Sequence, residues 1–252
     1  MWNSRGSVKA FAVDREWSAA DYRRLASSRG LVTFGIRVKQ TDMRIAAETN
    51  LETEALALVL EARAQVEGYI ERYPEFLSSL VPLAPDPAAP PVVAAMMEAS
   101  RRAHVGPMAA VAGAIAEHVG RGLSPRSYEI IVENGGDLYM RSSHRRELTL
   151  LAENTSLMGL RIAVPPLAEG AGIATSAGTL GHSLSFGRAD AVMVLAESGA
   201  LADAIATAVG NIVLGASDLE PALSTARELG ALAAVIIADG HLAAYGGIEL
   251  IA

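Results

Sequence analysis

Residues 128–140 read Tyr128-Glu129-Ile130-Ile131-Val132-Glu133-Asn134-Gly135-Gly136-Asp137-Leu138-Tyr139-Met140. The apolar, β-branched run Tyr128–Val132 predicts a strand, the paired glycines a tight turn, and Leu138–Met140 the start of a second strand. Downstream, Leu138–Met140 and Glu147–Leu151 look like a hairpin around Ser142–Arg146, and Leu160–Val164 adds a further strand. Strands that follow one another this closely call for an antiparallel sheet, since parallel neighbours need long crossovers.

Upstream of this stretch, residues 8–13 and 31–38 alternate loosely and read as strands, with Lys39-Gln40-Thr41-Asp42 turning into Met43–Ala46. From Leu51 to Arg72 apolar residues recur at helical spacing and stop at Pro74, which predicts a long amphipathic helix. The proline-dense segment 83–91 can be neither helix nor central strand and reads as a surface connection. Two helices follow, Val92–His104 and Met108–Val119, separated at Gly106-Pro107, with Gly120 and Gly122 expected to close the second. In the C-terminal part, Ala189–Leu195 is strand-like, Leu201–Val213 is helical, and Ser217–Glu220 forms a capping box for a helix that stops at Gly230. A last hairpin, Ala233–Ile237 with Leu242–Ile251, turns at Asp239-Gly240. No internal repeat interrupts this order. The expectation is one α+β domain over residues 1–252, a largely antiparallel sheet packed with helices.

Composition narrows the function classes. Hydrophobic residues make up 51% of the 252 and charged residues 19%, with mean hydropathy +0.28, so a large core or the interface of a homo-oligomer is expected to absorb the excess. Twenty-one basic against 28 acidic residues give a net charge of −7, which offers no footprint for nucleic acid or an anionic membrane. The absence of cysteine excludes disulfides, thiolate catalysis and cysteine-ligated metals, so any metal must use oxygen or imidazole. No apolar run reaches the roughly 20 residues a membrane span requires, and the opening residues lack a signal-peptide core, which makes a cytoplasmic location the expectation.

Common catalytic patterns fail in turn. There is no Walker loop, and Gly170-Ala171-Gly172 lacks the third glycine of a dinucleotide fingerprint because Thr175 stands in its place. The five histidines show no zinc-hydrolase spacing. Four segments remain. Glu133-Asn134-Gly135-Gly136-Asp137 can set amide N–H groups against a ligand, or be a plain tight turn. Residues 172–183 place Thr175, Ser176, Thr179 and Ser183 among glycines with His182, suited to phosphate or ring heteroatoms, or to a hydrophilic loop. In Ala202–Asn211, Asp203 and Thr207 stand four apart, on one face of a helix, where a carboxylate and a hydroxyl can share a hard cation. The plainer alternative is a solvated acid near a helix start. The run Val105–Glu117 is small and apolar and reads chiefly as tight packing, although its Gly-Pro helix start can also meet an anion.

Taken in order, these segments resemble the ApbE superfamily, whose characterised members are FAD:protein FMN transferases. The resemblance rests on Gly135-Gly136-Asp137, Ala174-Thr175-Ser176-Ala177-Gly178, His182 and Ala202-Asp203-Ala204-Ile205-Ala206-Thr207, over roughly residues 128–252. A shorter, uncharacterised branch of the superfamily is similar over nearly the whole length. The resemblance implies a T-fold-like domain, Mg²⁺ at Asp203 and Thr207, and FAD or FMN near Glu133, Asn134, Gly135, Gly136, Asp137, Thr175, Ser176 and His182. Two departures stand out. The transferases carry an aspartate-proline pair after the histidine, where this chain has Ser183-Leu184-Ser185-Phe186-Gly187, and their first half differs. A pterin- or purine-binding enzyme using Glu133, Asn134 or Asp137, and a non-catalytic flavin-binding or structural oligomer, are the alternatives on the same scaffold.

Overall fold

The computed structural model describes residues 8–11, 26, 28, 30–150, 157, 159–176 and 187–251. In chain order its elements begin with β1 (Val8–Phe11), β2 (Val32–Val38) and β3 (Thr41–Ala47). Helices α1 (Glu52–Arg72), α2 (Glu75–Ser78), α3 (Pro91–Ala103) and α4 (Val111–Leu123) follow. Next come β4 (Ile130–Asn134), β5 (Asp137–Ser142), β6 (Arg146–Leu150), β7 (Leu160–Val164), β8 (Leu167–Ser176) and β9 (Ala191–Ala196). The chain continues through α5 (Gly199–Ile212), α6 (Leu219–Glu228), β10 (Ala233–Ala238), β11 (His241–Gly246) and β12 (Glu249–Ile251).

Among the described residues, β1-β2-β3-β4-β5-β8-β9-β10-β11 form one sheet in that order, and every pairing is antiparallel. The order is a meander interrupted twice by helices, once between β3 and β4 and once between β9 and β10. Strands β12-β7-β6 form a second, smaller sheet.

Strand alternation divides the core in two. Val132, Ala174, Val192, Val194, Ala234 and Ile236 pack toward the helices. Their neighbours Ile131, Ile173, Met193, Leu195, Val235 and Ile237 pack toward the small sheet, against Leu148, Leu150, Ile162 and Val164. The large sheet is therefore apolar on both faces, which accounts for the unbroken run Ala191–Ala196, buried at every position. The excess of apolar residues goes into these two core layers.

The helices start and stop for local reasons. Ser198 caps α5, its Oγ accepting the Leu201 N–H at 3.1 Å. α3 ends at His104, which adopts a left-handed conformation with φ 57°. A 3-10 turn, Pro107–Ala110, leads into α4.

Several expectations are corrected. Residues 138–140 and 147–151 do not pair with each other: β5 lies between β4 and β8, while β6 pairs with β7 in the other sheet. The register shifts between Met140 and Ser142, where the chain leaves the large sheet. Gly120 and Gly122 do not end α4 but lie within it, and Gly120 leaves room for the Tyr139 ring, which a Cβ would approach to 2.1 Å. The first residues of segment 172–183 are not loop; Gly172–Ser176 complete the ten-residue strand β8. The last hairpin ends at Gly246, and β12 crosses to pair with β7.

Candidate functional site

The turn between β4 and β5 stands at one end of the large sheet, with Asn134 and Asp137 as its closing pair and Gly135 at φ 77°, where a side chain would be strained. By alternation Asn134 and Asp137 face the helix layer together with Val132 and Tyr139. Glu133 faces the other way with Ile131, in register with Arg44.

Helix α5 reaches this turn because three glycines let backbones touch. A Cβ on Gly113 of α4 would stand 2.1 Å from the Gly199 carbonyl, and one on Gly199 would stand 2.3 Å from the Gly113 carbonyl. One on Gly172 of β8 would stand 2.3 Å from the Ser198 carbonyl. Glu117 completes the wedge, its Oε2 accepting the Gly199 N–H at 2.8 Å. The start of α5 is thus fixed between α4 and β8, and Asp203, one turn in, is carried to the first turn of α4. There its Oδ2 accepts the Gly113 N–H at 3.0 Å, with a second bond from the Ala112 N–H. The Ala112 carbonyl in turn accepts from Asn134 Nδ2 at 3.1 Å. Ala112 and Gly113 therefore join Asp203 to the Asn134–Asp137 pair.

Asp137 accepts the backbone N–H of Thr175. The Thr175 hydroxyl donates to the Gly136 carbonyl at 2.9 Å, locking β8 to the glycine turn. Ser176 lies on the helix side beside Gly210 of α5, whose Cβ would be 3.4 Å from its Oγ. Thr207 stands one turn after Asp203, and both keep a partial solvent face.

Two acids held this way are electrostatically costly. Burial pushes Asp203 up to about 7, against the pull of the Gly113 and Ala112 N–H groups. Burial also raises Asp137 well above the usual carboxylate range, the charge of Asp203 adds to this, and the Thr175 N–H only partly offsets it. Each side chain retains some solvent, yet the surrounding protein removes most of its hydration.

The donor set suits a hard divalent cation. Asp203, Asp137 and the Thr207 hydroxyl would offer oxygen alone, the ligand type that a hard cation such as Mg²⁺ prefers. Among the described residues no group of three or more His, Asp or Glu side chains gathers as a metal centre. A cation here would depend on two acids and neutral oxygens.

The structure thus brings together Asn134, the Gly135-Gly136 turn, Asp137 and Asp203, with the Thr175 backbone among them; Thr207 follows Asp203 by one turn, and Ser176 lies beside Gly210 further along α5. It turns the side chains of Glu133 and Thr175 to the opposite face of the sheet, and His182 lies outside the described residues. Sequence reasoning missed Ala112, Gly113 and Glu117 as parts of the site. Their signal was the small-residue run Val105–Glu117 itself, where Gly113 permits close packing and its N–H holds a carboxylate.

At the opposite end of β4 and β5 a second polar cluster joins the two sheets. Glu129 accepts from Ser142 Oγ at 2.6 Å, Ser143 N at 2.7 Å and Arg146 Nη2 at 2.7 Å. Burial works against its charge, but these bonds outweigh it and hold Glu129 far below the usual carboxylate range. An open cleft of about 450 Å³ lies alongside, lined in part by Glu48, Glu129, His144 and Arg146.

This antiparallel sheet packed with helices is the fold of the ApbE proteins. The flavin transferase ApbE from Vibrio cholerae superposes with a TM-score of 0.54 at 14% identity, covering 85% of this chain and 96% of that one. The ApbE protein from Thermotoga maritima gives 0.52 at 13% identity, covering 87% and 96%. The chain belongs to the family described as AbpE bacteria, whose model matches residues 23–239. Relatives at higher identity are UPF0280 proteins of archaea. The one from Methanococcus aeolicus is 38% identical over 195 residues, 75% of this chain and 79% of that protein. The one from Methanocaldococcus jannaschii is 41% identical over 170 residues, 66% and 69%.

Proposed function

We propose that this protein binds a flavin nucleotide through a divalent cation at Asp203 and Thr207, and that it transfers FMN from FAD to an acceptor hydroxyl. The observation that carries the reading is Asp203, held by the Gly113 and Ala112 N–H groups close enough to Asp137 for the two charges to act on each other, with Thr207 one helical turn further along α5. When bound, Mg²⁺ would neutralise the pyrophosphate oxygens and the charge that develops as the phosphoanhydride breaks.

The chain's own residues define the rest of the site. The glycine turn lets a ligand approach backbone without meeting side chains, and Ser176 offers a hydroxyl on the same face. The Ala112 and Gly113 N–H groups hold Asp203 in one orientation. In the transfer, the acceptor oxygen forms a bond to the FMN phosphorus, the phosphoanhydride bond to AMP breaks, and the acceptor proton is released as AMP leaves. In the alternative of a pterin- or purine-binding enzyme, Asn134 or Asp137 would meet the ring on this face of the sheet, since Glu133 points to the other.

The test is to incubate the protein with FAD, Mg²⁺ and serine- or threonine-containing acceptor peptides and to measure AMP. Metal-dependent AMP release that is lost in Asp203→Asn supports transfer. Metal-dependent FAD binding without AMP release would reduce the protein to a flavin-binding one and overturn the transfer step.

A further inference from the structure

We infer that Asp137 is a second carboxylate ligand of the cation and that the site takes its metal before its nucleotide. The inference rests on the reading above and concerns what completes that site.

Three observations on separate elements place Asp137 there. It faces the helix layer from the first position of β5, paired with Asn134. Asn134 bonds the Ala112 carbonyl, and the N–H groups of Ala112 and Gly113 bond Asp203, so a single turn of α4 ties Asp203 to the strand pair that carries Asp137. Finally, the two carboxylates repel each other directly, and neither is in an ion pair with another described residue. Among the described residues, the hydrogen bonds that reach them come from the backbone N–H groups of Thr175, Ala112 and Gly113, and a carboxylate that accepts one or two such bonds keeps lone pairs for a positive partner.

Charge decides the order of binding. A site with one carboxylate leaves a divalent ion with a net +1 charge to be met by a further anion. Two carboxylates neutralise the ion, so the ligand-free protein can hold it. Once ionised, the same two acids repel a diphosphate that arrives without a cation. The nucleotide is therefore admitted after the metal.

Mn²⁺ is the probe, since its electron paramagnetic resonance signal falls as it binds. The full-length protein without nucleotide is titrated alongside Asp137→Asn, Asp137→Ser and Asp203→Asn, each checked for folding by circular dichroism melting. The expected result is one Mn²⁺ bound by the ligand-free protein, with affinity at least tenfold lower in both Asp137 variants and in Asp203→Asn. FAD, followed by flavin fluorescence, is expected to bind with Mn²⁺ and not in EDTA. Wild-type affinity in both Asp137 variants, with loss only in Asp203→Asn, overturns this inference and leaves the proposed function standing. Mn²⁺ binding only in the presence of FAD overturns the metal-first order in the same way. No Mn²⁺ binding with or without FAD overturns both.

Discussion

Asp203 and Asp137 carry the main cost of the site, and that cost has a sign. Their folded-state proton affinities lie above those of free carboxylates, Asp203 at about 7 against 3.8. The metal-free fold is therefore favoured at acidic pH, and the contribution is lost as pH rises through about 7. Asp203→Asn removes the charge while its amide oxygen can still accept the Gly113 N–H. At pH 8 without metal this variant is expected to be more stable than wild type by on the order of 2 kcal/mol. For a chain of this size that is a rise of roughly 4–8 °C in melting temperature, and the gain should shrink as the pH falls below about 7 and vanish below 3.8. A variant that melts below wild type at pH 8 would show that the carboxylate is stabilised there. Gly113 is the complementary case. A methyl group there meets the Gly199 carbonyl and the Asp203 side chain, so Gly113→Ala is expected to cost about 2 kcal/mol, read by urea denaturation. It should weaken Mn²⁺ binding as well, because α5 must move away.

Between elements, the join that matters is the passage from β5 to β6. Glu129 gathers Ser142, Ser143 and Arg146 and so fixes where the chain leaves one sheet for the other. Arg146→Met leaves the Glu129 charge buried without its partner and is expected to cost about 3 kcal/mol in a denaturant melt. The Glu129 carboxyl is held below its ordinary 4.5, so its contribution is present above that pH and lost as the pH falls further. Glu129→Gln should therefore flatten the acid limb of the stability profile; an unchanged limb would remove Glu129 from the account. This junction is also where the sequence misleads. Ser142–Arg146 has the composition of a hairpin loop, and the partners that override it, Glu129 and the strand β8, are distant in sequence. The spacing of Asp203 and Thr207 was legible because a helix fixes which residues share a face. Alternation along Ile130–Asn134 also held the information that Glu133 and Asn134 face apart. The meeting of Asp137 with Asp203 is set by how α4, α5 and β8 pack, which no local pattern encodes.

Across the whole molecule, a meander sheet covered on both faces gives the site a rigid floor. The α+β class and the run of strands from 128 onward follow from periodicity and turn chemistry. The second sheet does not, because β12 joins β7 from the far end of the chain. A cation that binds only the folded state should stabilise all of it. At a hundredfold excess over its dissociation constant, Mg²⁺ is expected to add about 2.7 kcal/mol, roughly 5–10 °C in melting temperature, and EDTA should reverse the gain. An unchanged melting temperature in saturating Mg²⁺ and Mn²⁺ would count against a metal at this site. The most direct measurement is equilibrium binding of FAD to the full-length protein in Mg²⁺ and in EDTA, for wild type and Asp203→Asn. The account predicts saturable binding in Mg²⁺ that weakens at least tenfold on chelation and in the variant. FAD binding equally well in EDTA and in Asp203→Asn, or not at all in Mg²⁺, would contradict it.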